Sequence, residues 1–156
     1  LFGVSAPELL DGRVPARRLW GDSAAVLEEA LFAAPGVRQR ARHLTDFLAG
    51  LAAAAPAPDP LVRAAAERLD RLAVAEVARH LAVSERQLRR LVTTEVGYGP
   101  KRLGRVLRLR GALEQVRAGA ELAEVAFEAG YADQAHFGNE CRSLAGVAPG
   151  RFASVL

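Results

Sequence analysis

The chain has 156 residues, 51% of them hydrophobic and 25% charged, with a formal net charge of +3. That suffices for one ordinary domain or two small ones, and no apolar run approaches the roughly 18 residues that a membrane-spanning helix needs. The single cysteine, Cys141, excludes an internal disulfide and fits a reducing compartment.

Charge is unevenly distributed. Residues 61–119 carry 13 basic and 6 acidic side chains, net +7, whereas residues 1–60 stand at −1 and residues 120–156 at −3. All of the central cations except Lys101 are arginines, whose planar fork suits phosphates and guanine edges. No methionine occurs, even at position 1, as expected of a segment excised from a longer protein or a chain with a processed start. No secretory leader is visible.

Nothing alternates with period two, alanine and leucine dominate, and Gly/Pro pairs punctuate the chain. This predicts an all-α fold. A short helix is expected over residues 6–10, then a turn over 11–15. A second helix should run over 22–33 with Asp22 as its N-cap, and a third over 37–54 after the Pro35-Gly36 break. Trp20, Val26, Leu27, Leu31, Phe32, Leu44, Phe47 and Leu48 are the expected core of this region, in preference to a ligand pocket. Ala55-Pro56-Ala57-Pro58 reads as an extended linker. It divides a helical segment, 1–58, from a second domain, 59–156. Asp59-Pro60 opens the next helix, to about residue 71, with a cap and a proline at the first helical position.

Residues 75–103 and 123–152 repeat one another. Ala75-Glu76-Val77-Ala78 returns as Ala123-Glu124-Val125-Ala126, and Gly97 and Pro100 return as Gly146 and Pro149. The first pair is offset by 48 and the second by 49, so the second copy has one extra residue in its turn. Each copy has helix-turn-helix logic. A short helix (74–81; 122–129) is followed by a tight turn (Ala82-Val83; Gly130-Tyr131-Ala132). A capping residue, Ser84 or Asp133, then opens a second helix. Leu88 and Leu91, or Phe137 and Leu144, should face inward. The outward residues are then Glu85, Arg86, Gln87, Arg89 and Arg90 in the first copy. In the second they are Gln134, Ala135, His136, Gly138 and Asn139. Arginine, glutamine and asparagine make bidentate contacts with base edges. Arg86, Gln87, Arg89, Arg90, Gln134 and Asn139 are therefore the expected base readers.

One long helix, 100–118, should join the copies. It would span roughly 28 Å, against the roughly 34 Å between major-groove segments on one face of DNA. Its apolar side is Leu103, Val106, Leu107, Leu109, Leu113 and Val116. Lys101, Arg102, Arg105 and Arg108, with Ser84 and His136, are expected to hold phosphates. Arg110 falls in the apolar arc and should pair with Glu114. Gly104 and Gly111, seven apart on one face, predict close packing there.

These residues resemble the AraC/XylS family of bacterial transcription regulators. The likeness is carried by Val77-Ala78 through Val83-Ser84, Leu88-Arg89-Arg90-Leu91, Gly97, Pro100, Arg108-Leu109 and Ala112. It continues in Val125-Ala126, Ala129-Gly130-Tyr131, Asp133-Gln134, His136-Phe137, Gly146-Val147, Pro149 and Phe152. The resemblance covers about residues 60–156. It implies a bipartite DNA-binding domain whose two recognition helices enter successive major grooves, often attached to an N-terminal sensing or dimerising domain. It implies a bacterial cytoplasmic location at the nucleoid. Two departures stand out. Ala82 occupies the place of the family's turn glycine. Asn139 and Cys141 replace an arginine and a phenylalanine, so the first unit should dominate affinity.

An enzyme is not expected. His43, His80 and His136 are scattered, none sits at metal-ligand spacing with acids or the cysteine, and no Gly-rich phosphate loop occurs. His80 reads as an exposed helical residue and Cys141 as a small core residue. A purely protein-binding helical module would show an apolar outer face over 85–90, where this chain is rich in arginine and glutamine. The expected partners are double-stranded promoter or operator DNA, RNA polymerase, and a second copy through residues 1–58. No cofactor, metal or membrane is expected.

Overall fold

In a computed structural model, the described residues are 9 and 13–151. The helix expected over 6–10 (except Leu9), the first two residues of the following turn, and Phe152 lie outside them. Every regular element among the described residues is a helix. In chain order they are α1 (Ala16–Trp20), α2 (Asp22–Ala33), α3 (Val37–Ala54), α4 (Pro60–Leu69) and α5 (Val74–His80). There follow α6 (Glu85–Val96), α7 (Pro100–Arg117), α8 (Leu122–Glu128) and α9 (Gln134–Ala145). The main packing contacts join α1 to α2 and α2 to α3, and separately join members of α4–α9 to one another.

Local chemistry sets the helix ends. The Asp59 carboxylate accepts the Leu61 N–H at 2.8 Å, and Pro60 begins α4. The Ser84 hydroxyl accepts the Gln87 N–H at 3.2 Å while the Gln87 amide oxygen accepts the Ser84 N–H at 2.9 Å. This reciprocal cap satisfies two otherwise orphaned donors at the start of α6. Asp133 does half as much for α9, accepting the His136 N–H at 2.6 Å. Gly97 and Gly146 close α6 and α9 with left-handed backbones, as the repeat requires.

Two apolar clusters lie along α7. The first gathers Val62, Ala65, Leu69, Val77, Ala78, Leu88, Val92 and Leu103. The second gathers Leu109, Ala112, Leu113, Val125, Ala126, Tyr131, Phe137 and Cys141. The 18 residues of α7, about 27 Å long, thus feed one cluster at each end. Gly104 sits against α4 so closely that a Cβ would clash with the Leu69 carbonyl oxygen. Gly111 does not share that role: it is exposed, with nothing near its missing side chain. Arg110 does pair with Glu114, at 3.0 Å, but in solvent rather than in the apolar arc.

The N-terminal region departs furthest from expectation. Of its expected core only Leu27 is buried, together with the small residues Ala24 and Ala34. Phe32 is 93% exposed and Val26 68%; Val37, Leu44 and Leu48 also face outward. Trp20 meets Phe47 edge-on at 5.2 Å between ring centroids. The reason is geometric: a helical hairpin has one internal face, and a second apolar stripe needs a further layer to cover it. Asp22 is the first helical residue, and Gly21, at φ 53°, takes the capping position.

Candidate nucleic-acid interface

The turns of the two repeats share one hydrogen-bond pattern. In the first, Val83 N–H donates to the Ala78 carbonyl at 3.0 Å and Ala82 N–H to the Arg79 carbonyl at 3.2 Å. In the second, Tyr131 N–H donates to Ala126 at 2.8 Å and Gly130 N–H to Phe127 at 3.0 Å. This double bond pattern ends a helix with one left-handed residue. Gly130 takes that conformation at φ 73° and Ala82 at φ 54°; Ala82 is the sole non-glycine with positive φ among the described residues. After the turn the first copy goes directly to its cap, Ser84. The second inserts Ala132, whose N–H donates to His136 Nδ1 at 3.2 Å. With Nδ1 engaged as an acceptor, Nε2 is the ring nitrogen left to donate.

On α6, Leu88 and Val92 are buried while Arg86, Arg89 and Arg90 are exposed. None of the three side chains takes part in a hydrogen bond or salt bridge among the described residues. Their side chains are free to meet a ligand. Gln87 is also exposed, but its amide oxygen is engaged by Ser84, leaving only its N–H groups. Arg89 and Thr93 face Lys101, Arg102 and Arg105 across an open groove of about 740 Å³. Lys101 is exposed, and Arg102 lies over the Tyr98 ring at 5.3 Å.

On α9, Gln134, Ala135, His136 and Asn139 are exposed and Phe137 and Cys141 buried. Gly138, expected to face out, is buried instead. Arg142 donates to the Asn139 amide oxygen at 2.7 Å, so Asn139 presents its NH₂ and a neighbouring guanidinium rather than an unengaged amide. Burial pushes the Cys141 thiol pKa up, which suits an inert core residue.

Two arginines expected on phosphates have other partners. Arg105 donates from Nε and Nη2 to both carboxylate oxygens of Glu140, at 2.7 and 2.8 Å. The Arg105 guanidinium holds the Glu140 carboxyl below its ordinary pKa, chiefly through those hydrogen bonds, and its own pKa is raised in return. Arg108 Nε donates to the Asp70 carbonyl at 3.0 Å, and its guanidinium lies 6.0 Å from the Tyr131 ring centroid. Burial first, and Glu140 second, push the Tyr131 phenol up to about 12.

Sequence reasoning missed Glu140, though a signal was present. In the repeat alignment Glu140 takes the place of Leu91, a half-buried residue packed on the first apolar cluster. A carboxylate in an inward register requires a cation, and Arg105 supplies it.

Paired helix-turn-helix units on a shared helix, with unpaired arginines on the exposed face of one second helix, define a helix-turn-helix DNA-binding protein. A family model described as a helix-turn-helix domain matches residues 77–154. Among solved structures, the C-terminal domain of AraT, a response regulator from Geobacillus stearothermophilus, is similar. It has 25% identity and a TM-score of 0.57, covering 65% of this chain and 89% of that one. No curated protein matches the chain. The chain belongs to the AraC/XylS family of helix-turn-helix transcription regulators and is a DNA-binding protein of transcription regulation. No helix among the described residues is long and apolar enough to cross a membrane.

Proposed function

We propose that the protein reads a specific duplex sequence with both second helices, α6 and α9, each set into one of two successive major-groove segments. The observation that carries this reading is the exposed, unpaired trio Arg86, Arg89 and Arg90 on a helix whose other face is fixed in a core. Arg86 and Arg89 read base edges and Arg90 shares base and phosphate contacts. Gln87 adds donor contacts only. Gln134 and Asn139 read the second half-site, with Arg142 beside Asn139. Ser84, His136, Lys101 and Arg102 contact phosphates, while Arg105 and Arg108 serve within the protein.

The site is asymmetric, strongly specified under residues 86–90 and weakly under 134–139, because residues 61–119 carry net +7 and 120–156 net −3. Residues 59–156 form the DNA-binding domain. Residues 1–58 associate with a second copy, and RNA polymerase is the further partner at the promoter.

Selection of bound sequences from random duplex DNA tests the reading. Arg86→Ala and Arg89→Ala should each weaken the preferred site by about 1–3 kcal/mol and relax preference at one or two base pairs. Gln134→Ala should cost selectivity in the second half only. Unchanged affinity and selectivity in both arginine variants would refute the assignment.

A further inference from the structure

The seam between the two units is built differently from the units themselves. Neither buried cluster crosses it: the first ends at Leu103 and the second begins at Leu109. Across one side of the seam lies an open cleft of about 340 Å³ between the end of α4 at Asp70, the middle of α7 at Arg108 and Gly111, and the turn at Gly130. The two groups of helices therefore do not abut there. Polar groups bridge the seam elsewhere. Arg105 stands next to Gly104, the residue pressed against α4, and grips Glu140 in the middle of α9 with two parallel hydrogen bonds. One turn further along α7, Arg108 ties the Asp70 carbonyl at the end of α4 and lies over Tyr131 in the second unit's turn.

The Glu140 side chain is 14% exposed and that of Arg105 42%. A fork-to-fork pair fixes orientation as well as distance, because both oxygens and both nitrogens must stay in register. Phe137 and Cys141 already share a buried cluster with Leu109, Ala112 and Leu113 of α7; the fork adds a second, oriented attachment nearer the first unit, so that α9 cannot pivot on the cluster. The carboxylate also has a second effect. It neutralises the Arg105 charge, a poor use of a cation in a DNA-binding protein unless the pair has its own task.

We propose that Arg105 and Glu140 are spacing-determining residues. They clamp α9 to α7 so that the two recognition helices present their faces at one separation and one rotation, and the protein accepts half-sites at a single spacing. This rests on the reading that both units engage DNA.

The test uses the full chain and the duplex that it selects. The spacing between the half-sites is shortened or lengthened by one and by two base pairs, and a duplex bearing the first half-site alone serves as reference. The unaltered protein should lose about tenfold or more in affinity per base pair of displacement, since bending and twisting DNA to compensate is costly. Glu140→Gln should flatten that profile to about threefold or less, leave affinity for the single half-site no weaker, and steepen its salt dependence as Arg105 is released to phosphate. Arg105→Lys, which keeps the charge but not the fork, should flatten the profile partly. The exchange of Arg105→Glu with Glu140→Arg should sharpen it again.

A spacing profile equally sharp in folded Glu140→Gln, or in Arg105→Lys should the former not fold, overturns the proposal. So does uniform loss of affinity at all spacings with no change in profile, which is what a merely structural role predicts. If the unaltered protein binds no selected duplex, the reading of sequence-specific binding fails first. If it binds but tolerates every spacing, the clamp alone fails.

Discussion

At position 82 a methyl group is carried on a left-handed backbone, φ 54°. The equivalent place in the second unit, Gly130, has no such group to accommodate. Left-handed backbone costs an L-residue about 1–2 kcal/mol, partly offset by the extra freedom that glycine loses on folding. Ala82→Gly should therefore stabilise the protein by about 0.5–1 kcal/mol, read as a raised denaturation midpoint, with DNA affinity unchanged; a lower midpoint would contradict this account. Tyr131 offers a second test. Its hydroxyl is buried with no hydrogen-bond partner among the described residues, and burial lifts its pKa from 10.0 to about 12. A folded pKa above the unfolded one means a contribution fully present below pH 10, lost as pH rises towards 12. The wild-type protein should lose stability through that alkaline window, and Tyr131→Phe should remove this component. The same substitution should be neutral or stabilising at neutral pH, because it deletes an unsatisfied polar group. A loss of more than about 1 kcal/mol there would show that the hydroxyl has a partner.

Among the elements, α7 shows how far a pattern can be read. Its start at Gly99-Pro100 and its role as a shared strut follow from punctuation and from the repeat. What the pattern cannot supply is distance. Gly104 and Gly111 look alike on a helical wheel, yet α4 lies against only the first. Gly104→Ala should cost about 1–3 kcal/mol, because the new methyl meets backbone rather than a movable side chain. Gly111→Ala should gain about 1 kcal/mol as an exposed helix substitution. Equal effects from both on thermal unfolding would refute the close approach. The same limit hid the Arg105–Glu140 pair: periodicity places Arg105 on a polar face, but only the fold brings α9 to it. The exposure of Arg86, Arg89 and Arg90 was legible, because it follows from Leu88 and Leu91 turning inward on the opposite face.

For the whole molecule, the helix order over 22–54 and 60–145 could be read from capping residues and Gly/Pro breaks, but burial in the first 58 residues could not. Apolar spacing tells which side chains avoid water, not what covers them, and Phe32 and Val26 remain outside. That uncovered face is the physical ground for assigning self-association to residues 1–58. Deleting them should leave residues 59–156 folded and able to bind the selected duplex, since the apolar clusters of α4–α9 include no residue before Val62. Sedimentation should show the full chain as the larger species and the shortened chain as a monomer. Failure of the 59–156 fragment to fold would show that the two parts share one core.

The placement of the two clusters along α7 has a consequence for how the protein is made. Every residue of the first cluster lies between Val62 and Leu103, and every residue of the second between Leu109 and Cys141. The closing loops are short, so the entropy lost in forming either cluster is small. As the polypeptide leaves the ribosome, the first cluster is complete once Leu103 has emerged, before any residue of the second is outside. The unit bearing Arg86, Arg89 and Arg90 can thus condense first, and its half of α7 becomes the ready-formed surface on which the second unit winds.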